Sequence, residues 1–160
     1  MTRQLSNIII WAENKTGVFF RILWLFRRKQ FNIESATVGH SETPGITRFT
    51  ITVAGNENQI ANMVKQITKL VNVIKAETVA TDMLVYRELA LMKVAVKNSR
   101  EKGDILRVIE HFRGRAINMA KNTVTIEVTG DENKIDAFYE NMKDFAVLEF
   151  VRTGRTALFK

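Results

Sequence analysis

Residues 50–60 read TITVAGNENQI, and residues 125–135 read TIEVTGDENKI, with seven of the eleven positions identical. Position 130 corresponds to position 55, so the 160-residue chain contains an internal repeat with an offset of 75 residues. In each copy, alternating apolar residues predict a strand, a glycine marks a turn, and an acidic residue suits the start of a helix. The repeat therefore predicts two copies of one strand–turn–helix arrangement.

Apolar periodicity extends each copy to six elements. In the first half it predicts strands over residues 7–12, 32–38, 47–53 and 73–79, and helices over residues 18–29 and 57–70. In the second half it predicts strands near residues 89–96, 115–119, 123–129 and 147–152, and helices over residues 104–112 and 132–144. This order, βαββαβ twice, predicts an α+β fold of two ferredoxin-like domains, residues 1–80 and 81–160, joined by a short linker near residues 81–86.

Each predicted unit places both helices on one face of its sheet. A domain of this size buries only about 60% of the surface that its unfolded chain exposes. We therefore expect the chain to form oligomers, through the open sheet face or through an edge strand.

The composition excludes several classes of protein. With 46% hydrophobic and 26% charged residues, the chain is neither disordered nor of low complexity. It has no cysteine, which excludes disulfides and cysteine-containing zinc sites and fits a cytoplasmic location. Charged residues interrupt the apolar stretch over residues 8–26, so we expect no membrane span, and the N-terminus does not resemble a signal peptide.

No arrangement typical of catalysis, metal binding or RNA binding is found. His40 and His111 have only sequence-local acidic neighbours that point elsewhere, and Gly17 belongs to no phosphate-binding motif. The net charge of +7 raises the possibility of nucleic-acid binding, but the central predicted strands lack the aromatic platform of RNA-recognition domains, and Glu127 adds a negative charge there. We therefore predict no catalytic residue, no metal site and no nucleic-acid partner.

One segment remains as a candidate binding site, the turn ENKTG at residues 13–17. The first amides of the helix that follows have no partners inside the helix and lie at the positive end of its dipole, so they can hold a small carboxylate. Gly17 lets a ligand approach the backbone, and Asn14 offers both a donor and an acceptor. The same residue types are also common in turns and helix caps, so a purely structural role is the alternative.

Several motifs together resemble the small, regulatory subunit of acetohydroxyacid synthase, also called acetolactate synthase. They are ENKTGV at residues 13–18, FNIES at 31–35, ETPGITRFTI at 42–51 and VRTGR at 151–155. The resemblance covers nearly the whole chain. It implies an N-terminal ACT domain that senses an effector and dimerises, followed by a C-terminal ferredoxin-like domain.

The resemblance also implies a function. Such a chain is not itself catalytic but activates a large catalytic subunit, which carries thiamine diphosphate, Mg²⁺ and FAD, and it confers feedback inhibition by a branched-chain amino acid, typically valine. The chain itself would need no cofactor. In relatives the effector lies between two ACT domains, which nominates seven residues here: Asn14, Lys15, Thr16, Gly17, Val18, Asn32 and Ile33.

One departure from the family pattern follows the motif glycine. Relatives usually have small or aliphatic residues and leucine there, whereas this chain has Val18, Phe19 and Phe20. Helical spacing predicts Phe19 on the buried face of the helix and Phe20 nearer its flank. The departure predicts a reshaped pocket or dimer surface and leaves open which branched-chain amino acid binds. Two other functions stay as alternatives: an amino-acid-sensing module for a different enzyme or a transcription apparatus, and a basic RNA-binding protein.

Overall fold

A computed structural model describes residues 5–160. By their internal contacts these residues form two compact units. The first ends at Val85 and also contains Arg155–Lys160, and the second is Tyr86–Gly154. The predicted functional domains, residues 1–80 and 81–160, stay a prediction. No helix in residues 5–160 is long and apolar enough to span a bilayer.

The first unit contains four antiparallel strands and two helices in βαββαβ order. Its elements are β1 (Leu5–Glu13), α1 (Val18–Arg28), β2 (Ile33–His40), β3 (Ile46–Ala54), α2 (Glu57–Ile67) and β4 (Val73–Val79). The strand order is β2-β3-β1-β4, which places β2 and β4 at the edges. The predicted ferredoxin-like arrangement is confirmed for this unit.

The second unit repeats this arrangement after a short 3₁₀ turn at Thr81–Met83. Its elements are β5 (Leu84–Ala95), α3 (Ser99–His111), β6 (Arg115–Met119), β7 (Thr123–Gly130), α4 (Glu132–Met142) and β8 (Ala146–Arg152). The last strand, β9 (Thr156–Phe159), lies in the C-terminal segment that belongs to the first unit. The order is β6-β7-β5-β8, and β9 also pairs with β5. The α+β fold with two ferredoxin-like sheets is therefore confirmed.

Each unit has its own core between its helices and one face of its sheet. In the first unit, β1 contributes Ile8, Ile10 and Ala12, while α1 and α2 contribute Ile22, Phe26, Ile60 and Met63. In the second, β5 contributes Ala90, Met92 and Val94, while α3 and α4 contribute Ile105, Ile109, Ile135 and Phe138. Side chains alternate between the two faces of a strand, so the residues of β1 and β5 that lie between these core residues face the helix-free side of each sheet.

The sequence predicted that the helix-free face of the first unit is open, but the structure shows that part of this face is covered. Asn7, Thr37 and Trp11 lie on that face, and each contacts the C-terminal segment 155–159. Asn7 Oδ1 accepts a 3.2 Å hydrogen bond from the Arg155 guanidinium, and the Thr37 hydroxyl donates to the Arg155 carbonyl at 2.6 Å. Phe159 stacks on Trp11 with ring centroids 6.0 Å apart. The last residues of the chain thus cover part of the face that was expected to form an interface.

Candidate functional site

The turn that joins β1 to α1 presents an uncapped helix N-terminus. Gly17 occupies the N-cap position with φ of 82°, in the left-handed region that glycine adopts without strain, and no side chain caps the helix. The Val18 amide donates to the Lys15 carbonyl, and the Arg21 amide donates to the Gly17 carbonyl. Within residues 5–160 the amides of Phe19 and Phe20 donate to no backbone carbonyl. These two amides lie at the positive end of the α1 dipole and can receive an anion.

A polar network fixes the residue that precedes this turn. The Glu13 carboxylate accepts a 2.7 Å hydrogen bond from the Asn72 side chain, and the Lys15 ammonium lies 2.6 Å from the same carboxylate. The hydrogen bond from Lys15 is the main reason that the pKa of Glu13 is lowered, and the bond from Asn72 lowers it further. Because Lys15 is already paired with Glu13, it adds little net charge for a ligand in this conformation.

Arg21 extends the network beneath the turn. Its guanidinium donates to Asn72 Oδ1 at 3.0 Å, while its Nε is buried and has no acceptor in the described part of the chain. A methyl group placed on Gly17 would lie 3.4 Å from Arg21 Nη1, so the guanidinium packs directly against the turn. Arg21 therefore contributes positive charge beside the helix N-terminus.

The predicted turn residues divide into two groups. Asn14, Lys15, Thr16 and Gly17 are exposed, whereas the Val18 side chain is buried in the core of the first unit. The Asn14 amide donates to the Gly45 carbonyl at 2.8 Å, and its side chain makes no hydrogen bond within residues 5–160. Asn14 thus offers a free carboxamide at the surface, and Val18 supports the turn from below.

Asn32 and Ile33 lie far from the turn within one chain. Ile33 pairs with Val53, and Val53 pairs with Ser6 near the start of β1, whereas the turn follows the end of β1 at Glu13. At about 3.3 Å per residue, the seven steps from Ser6 to Glu13 separate the two ends of the sheet by roughly 23 Å. The Asn32 side chain donates to Glu34 at 3.0 Å. One chain alone therefore does not bring the two groups of predicted residues together.

The aromatic residues of α1 lie differently from the sequence prediction in one respect. Phe19 was expected on the buried face of the helix, yet its side chain is 41% exposed, and its ring centroid lies 5.6 Å from that of the core residue Phe49. Phe20 and Trp24 are 70% and 48% exposed, and the Arg28 guanidinium lies over Trp24. The outward surface of α1 is thus aromatic rather than aliphatic.

Three residues of this site were not among the seven nominated from the sequence: Arg21, Asn72 and Glu13, the last of which was predicted only as part of the turn. Glu13 opens the ENKTG motif, so its position was a usable signal. Asn72 has a φ of 71°, which is unusual for a residue other than glycine and typical of asparagine. The Asn72 side chain is hydrogen-bonded to Arg21, which lies 51 positions earlier in the sequence, and to Glu13, which lies 59 positions earlier. No local sequence pattern could reveal these two bonds.

Comparison with known proteins gives matches over both halves of the chain. Residues 8–75 match an ACT domain of the acetohydroxyacid synthase small-subunit type, and residues 87–160 match the family described as the small subunit of acetolactate synthase. A probable acetolactate synthase small subunit from Methanothermobacter thermautotrophicus is 43% identical over 147 residues, which cover 92% of this chain and 88% of that protein.

Two further relatives agree with these matches. The acetolactate synthase small subunit of Bacillus subtilis is 38% identical over 94% of this chain and 87% of its own length. The crystal structure of the acetolactate synthase small subunit from Thermotoga maritima superposes with a TM-score of 0.92, covers 98% of each chain and is 36% identical. The chain therefore belongs to the family of regulatory small subunits of acetolactate synthase.

Proposed function

We propose that this chain activates a large catalytic subunit of acetolactate synthase and makes it sensitive to feedback inhibition by a branched-chain amino acid, most directly valine. The effector binds between the N-terminal units of two copies of the chain. Thiamine diphosphate, Mg²⁺ and FAD are held by the catalytic partner, and this chain supplies no catalytic residue and no cofactor site. We place the assembly in the cytoplasm, without a membrane or nucleic-acid partner.

The observation that carries the proposal is the separation of the predicted site residues within one chain. Strand β2 is an edge strand, and its eight residues run from Ile33 to His40. His40 pairs with Thr47, at the same end of the sheet where Ile46 faces Glu13. If two copies pair antiparallel through β2, the start of β2 in one copy meets the turn end of the other.

This pairing completes two identical sites in a dimer. In each site, one copy contributes the turn with Asn14 and the uncapped start of α1, and the other contributes Asn32 and Ile33. The amides of Phe19 and Phe20, with Arg21 beside them, suit the carboxylate of an amino acid. The carboxamides of Asn14 and Asn32 suit its ammonium group, and Ile33 suits an aliphatic side chain.

Inhibition requires that the effector bind one state of the assembly more tightly than another. An amino acid that bridges two copies meets this requirement, because its affinity depends on how the two N-terminal units are placed. A ligand that contacted only one unit would bind every arrangement equally and would shift nothing.

The first experiment measures acetolactate formation from pyruvate by the large subunit of the same organism. We expect this chain to raise the rate, and we expect valine to reverse the rise more effectively than leucine or isoleucine. A rise that no branched-chain amino acid reverses would contradict the proposed effector. No rise at all would contradict the proposed partner and favour a sensing module for another enzyme.

A second experiment tests whether each site is shared between two copies. Asn14→Ala and Asn32→Ala are each expected to weaken valine inhibition by about tenfold through loss of a polar contact. In a mixed dimer of the two variants, one site carries both changes and the other carries neither, so high-affinity inhibition should return in part. Asn133→Ala, at an exposed position of α4, serves as the control. Mixed dimers no more sensitive than either variant would overturn the shared site.

A further inference from the structure

A small polar cavity lies on the helix-free face of the first unit, away from the predicted effector site. Its volume is about 180 Å³, and it is lined by β2, β3 and the C-terminal segment: Thr37, Val38, Gly39, His40, Arg48, Thr50 and Thr156. Arg48 and Thr50 alternate along β3 with Phe49 and Ile51 of the core, so their side chains point to the face opposite α1 and α2. The cavity therefore shares no surface with the start of α1.

Arg48 is the charged residue of this cavity, and no residue in the described range 5–160 uses its hydrogen-bonding capacity. Its guanidinium lies 5.3 Å from the Trp11 ring centroid and 5.9 Å from that of Phe159, which hold it in place. Its Nε is buried without an acceptor, and within residues 5–160 the side chain forms no hydrogen bond or ion pair. A partly buried guanidinium normally finds an acceptor, because burying an unpaired donor costs free energy.

The surroundings of Arg48 leave its charge uncompensated. Burial lowers the pKa of Arg48, and the more distant carboxylates of Glu42 and Glu77 only oppose that effect. Glu77 is itself paired with Lys75 at 2.7 Å, on the same face of the sheet. The positive charge at the cavity is thus not balanced by a carboxylate in contact with it.

The C-terminal segment, which lies beside β2, forms the remaining wall of the cavity through Thr156. The Thr37 hydroxyl donates to the Arg155 carbonyl, which fixes the segment beside β2. Thr50 on β3 and Thr156 on the segment then line the cavity from two sides and carry hydroxyl donors. The two aromatic rings and these hydroxyls make a preformed site around one guanidinium.

We propose that this cavity binds a small oxyanion, a phosphate or a carboxylate group, with Arg48 as its charged partner and the hydroxyls of Thr50 and Thr156 as further donors. The planar guanidinium can give two parallel hydrogen bonds to either group. The volume suits a phosphate ion or a short carboxylate. Because the C-terminal segment forms one wall, the bound anion also stabilises that segment on the sheet.

The test uses the full-length chain and two probes, inorganic phosphate and acetate, each replacing chloride at constant ionic strength. Binding is followed by titration calorimetry and by the fluorescence of Trp11, whose ring contacts Arg48. We expect saturable binding of at least one probe, and the probe that binds more tightly identifies the group. Linear changes with both probes, no different from those with chloride, would overturn the proposal.

Three variants separate a specific site from a general effect of positive charge. Arg48→Gln is expected to weaken binding by about tenfold or more, since it removes charge-assisted hydrogen bonds. Thr50→Val has nearly the same shape and is expected to weaken binding by severalfold, which keeps the test usable if Arg48→Gln fails to fold. Arg28→Gln is the matched control, because Arg28 also lies over a tryptophan, at 5.4 Å from the Trp24 ring. Equal affinity in wild type and Thr50→Val, or an equal loss in Arg28→Gln, would contradict the site.

Discussion

The two units share one topology but begin their first helices in different ways. In the first unit, Gly17 precedes α1 with no side-chain cap. In the second, Asn98 precedes α3, its side chain accepts a 2.9 Å hydrogen bond from the Glu101 amide, and the Glu101 carboxylate accepts one from the Lys97 amide. The Asn98 side chain thus satisfies an amide at the start of α3, whereas no side chain within residues 5–160 does so at the start of α1.

The second pair of helices shows that this difference is local. Asn56 caps α2 and Asp131 caps α4, each accepting a 2.9 Å hydrogen bond from the amide three residues later. These caps belong to the repeated segments, so the two units agree there. One fold can therefore carry a side-chain cap before its first helix in one copy and none from residues 5–160 in the other, through a change of a few residues.

The largest expected effect concerns two arginines that serve different units. Arg152 donates to Glu88, which is only 4% exposed, and Arg155 donates to buried Asn7. Arg152→Met leaves a buried carboxylate without its partner and should lower the free energy of unfolding by about 2–4 kcal/mol. Arg155→Met leaves a neutral amide that still accepts from Thr52, and should cost about 1–2 kcal/mol.

Urea denaturation of both variants checks this order. Arg100→Met, at an exposed position of α3, is the control and should change the free energy by less than about 0.5 kcal/mol. If Arg155→Met lowered the free energy of unfolding as much as Arg152→Met does, the hydrogen bonds of neutral Asn7 would stabilise this fold as much as the ion pair of buried Glu88.

The next effect concerns the uncapped turn and rests on the proposed function. Gly17→Asp and Gly17→Asn impose the same left-handed strain, which both residues tolerate better than most. Only the aspartate places a negative charge where the carboxylate of the effector should bind. We expect Gly17→Asp to weaken valine inhibition more than tenfold beyond Gly17→Asn, while activation of the large subunit is retained in both. Equal inhibition of the two variants would show that no carboxylate binds there.

Much of the fold could be predicted from the sequence, because its signals are local. The repeated segments revealed the topology, and the helices predicted from residues 57 and 132 begin at Glu57 and Glu132. The start of α3 was missed: the helix was predicted from residue 104 but begins at Ser99. Its first turns are polar and contain Gly103, so apolar periodicity gives no signal there. Strand β9 has four residues, too few for a period-2 pattern.

The site was harder to predict than the fold. The ENKTG turn was recognisable, because its residue types suit a helix start. The residues that fix the turn in place were not recognisable, since Asn72 bonds to Glu13 and Arg21 from a distant part of the first unit's sequence. The distance between the turn and Asn32 also follows only from the register of the strands. Local patterns therefore predict which residues are exposed at a turn, whereas long-range pairing decides which of them can meet.

The capped turn of the second unit gives a smaller expected effect. Asn98→Ala removes the hydrogen bond to the Glu101 amide and should lower the free energy of unfolding by about 1 kcal/mol. It should leave valine inhibition unchanged, because the second unit holds no effector in our proposal. The urea midpoint and the inhibition assay measure the two outcomes separately. A change in inhibition would show that the second turn also takes part in regulation.

The smallest effect is a pH dependence at the turn of the first unit. The pKa of Glu13 is lowered chiefly by its hydrogen bond with Lys15, so the carboxylate stabilises the folded state in its ionised form. That contribution is fully present above the ordinary pKa of a glutamate and is lost as the pH falls through the lowered value. The difference in free energy of unfolding between wild type and Glu13→Gln should therefore be small at neutral pH, because Glu13 and Lys15 are both exposed to solvent. The difference should vanish in acid, because Glu13 is then protonated. Glu132→Gln, at the start of α4 in the second unit, is the control for loss of a carboxylate away from this turn. A difference that grew on acidification would mean that the fold prefers protonated Glu13, which would contradict a stabilising pair between the Glu13 carboxylate and Lys15.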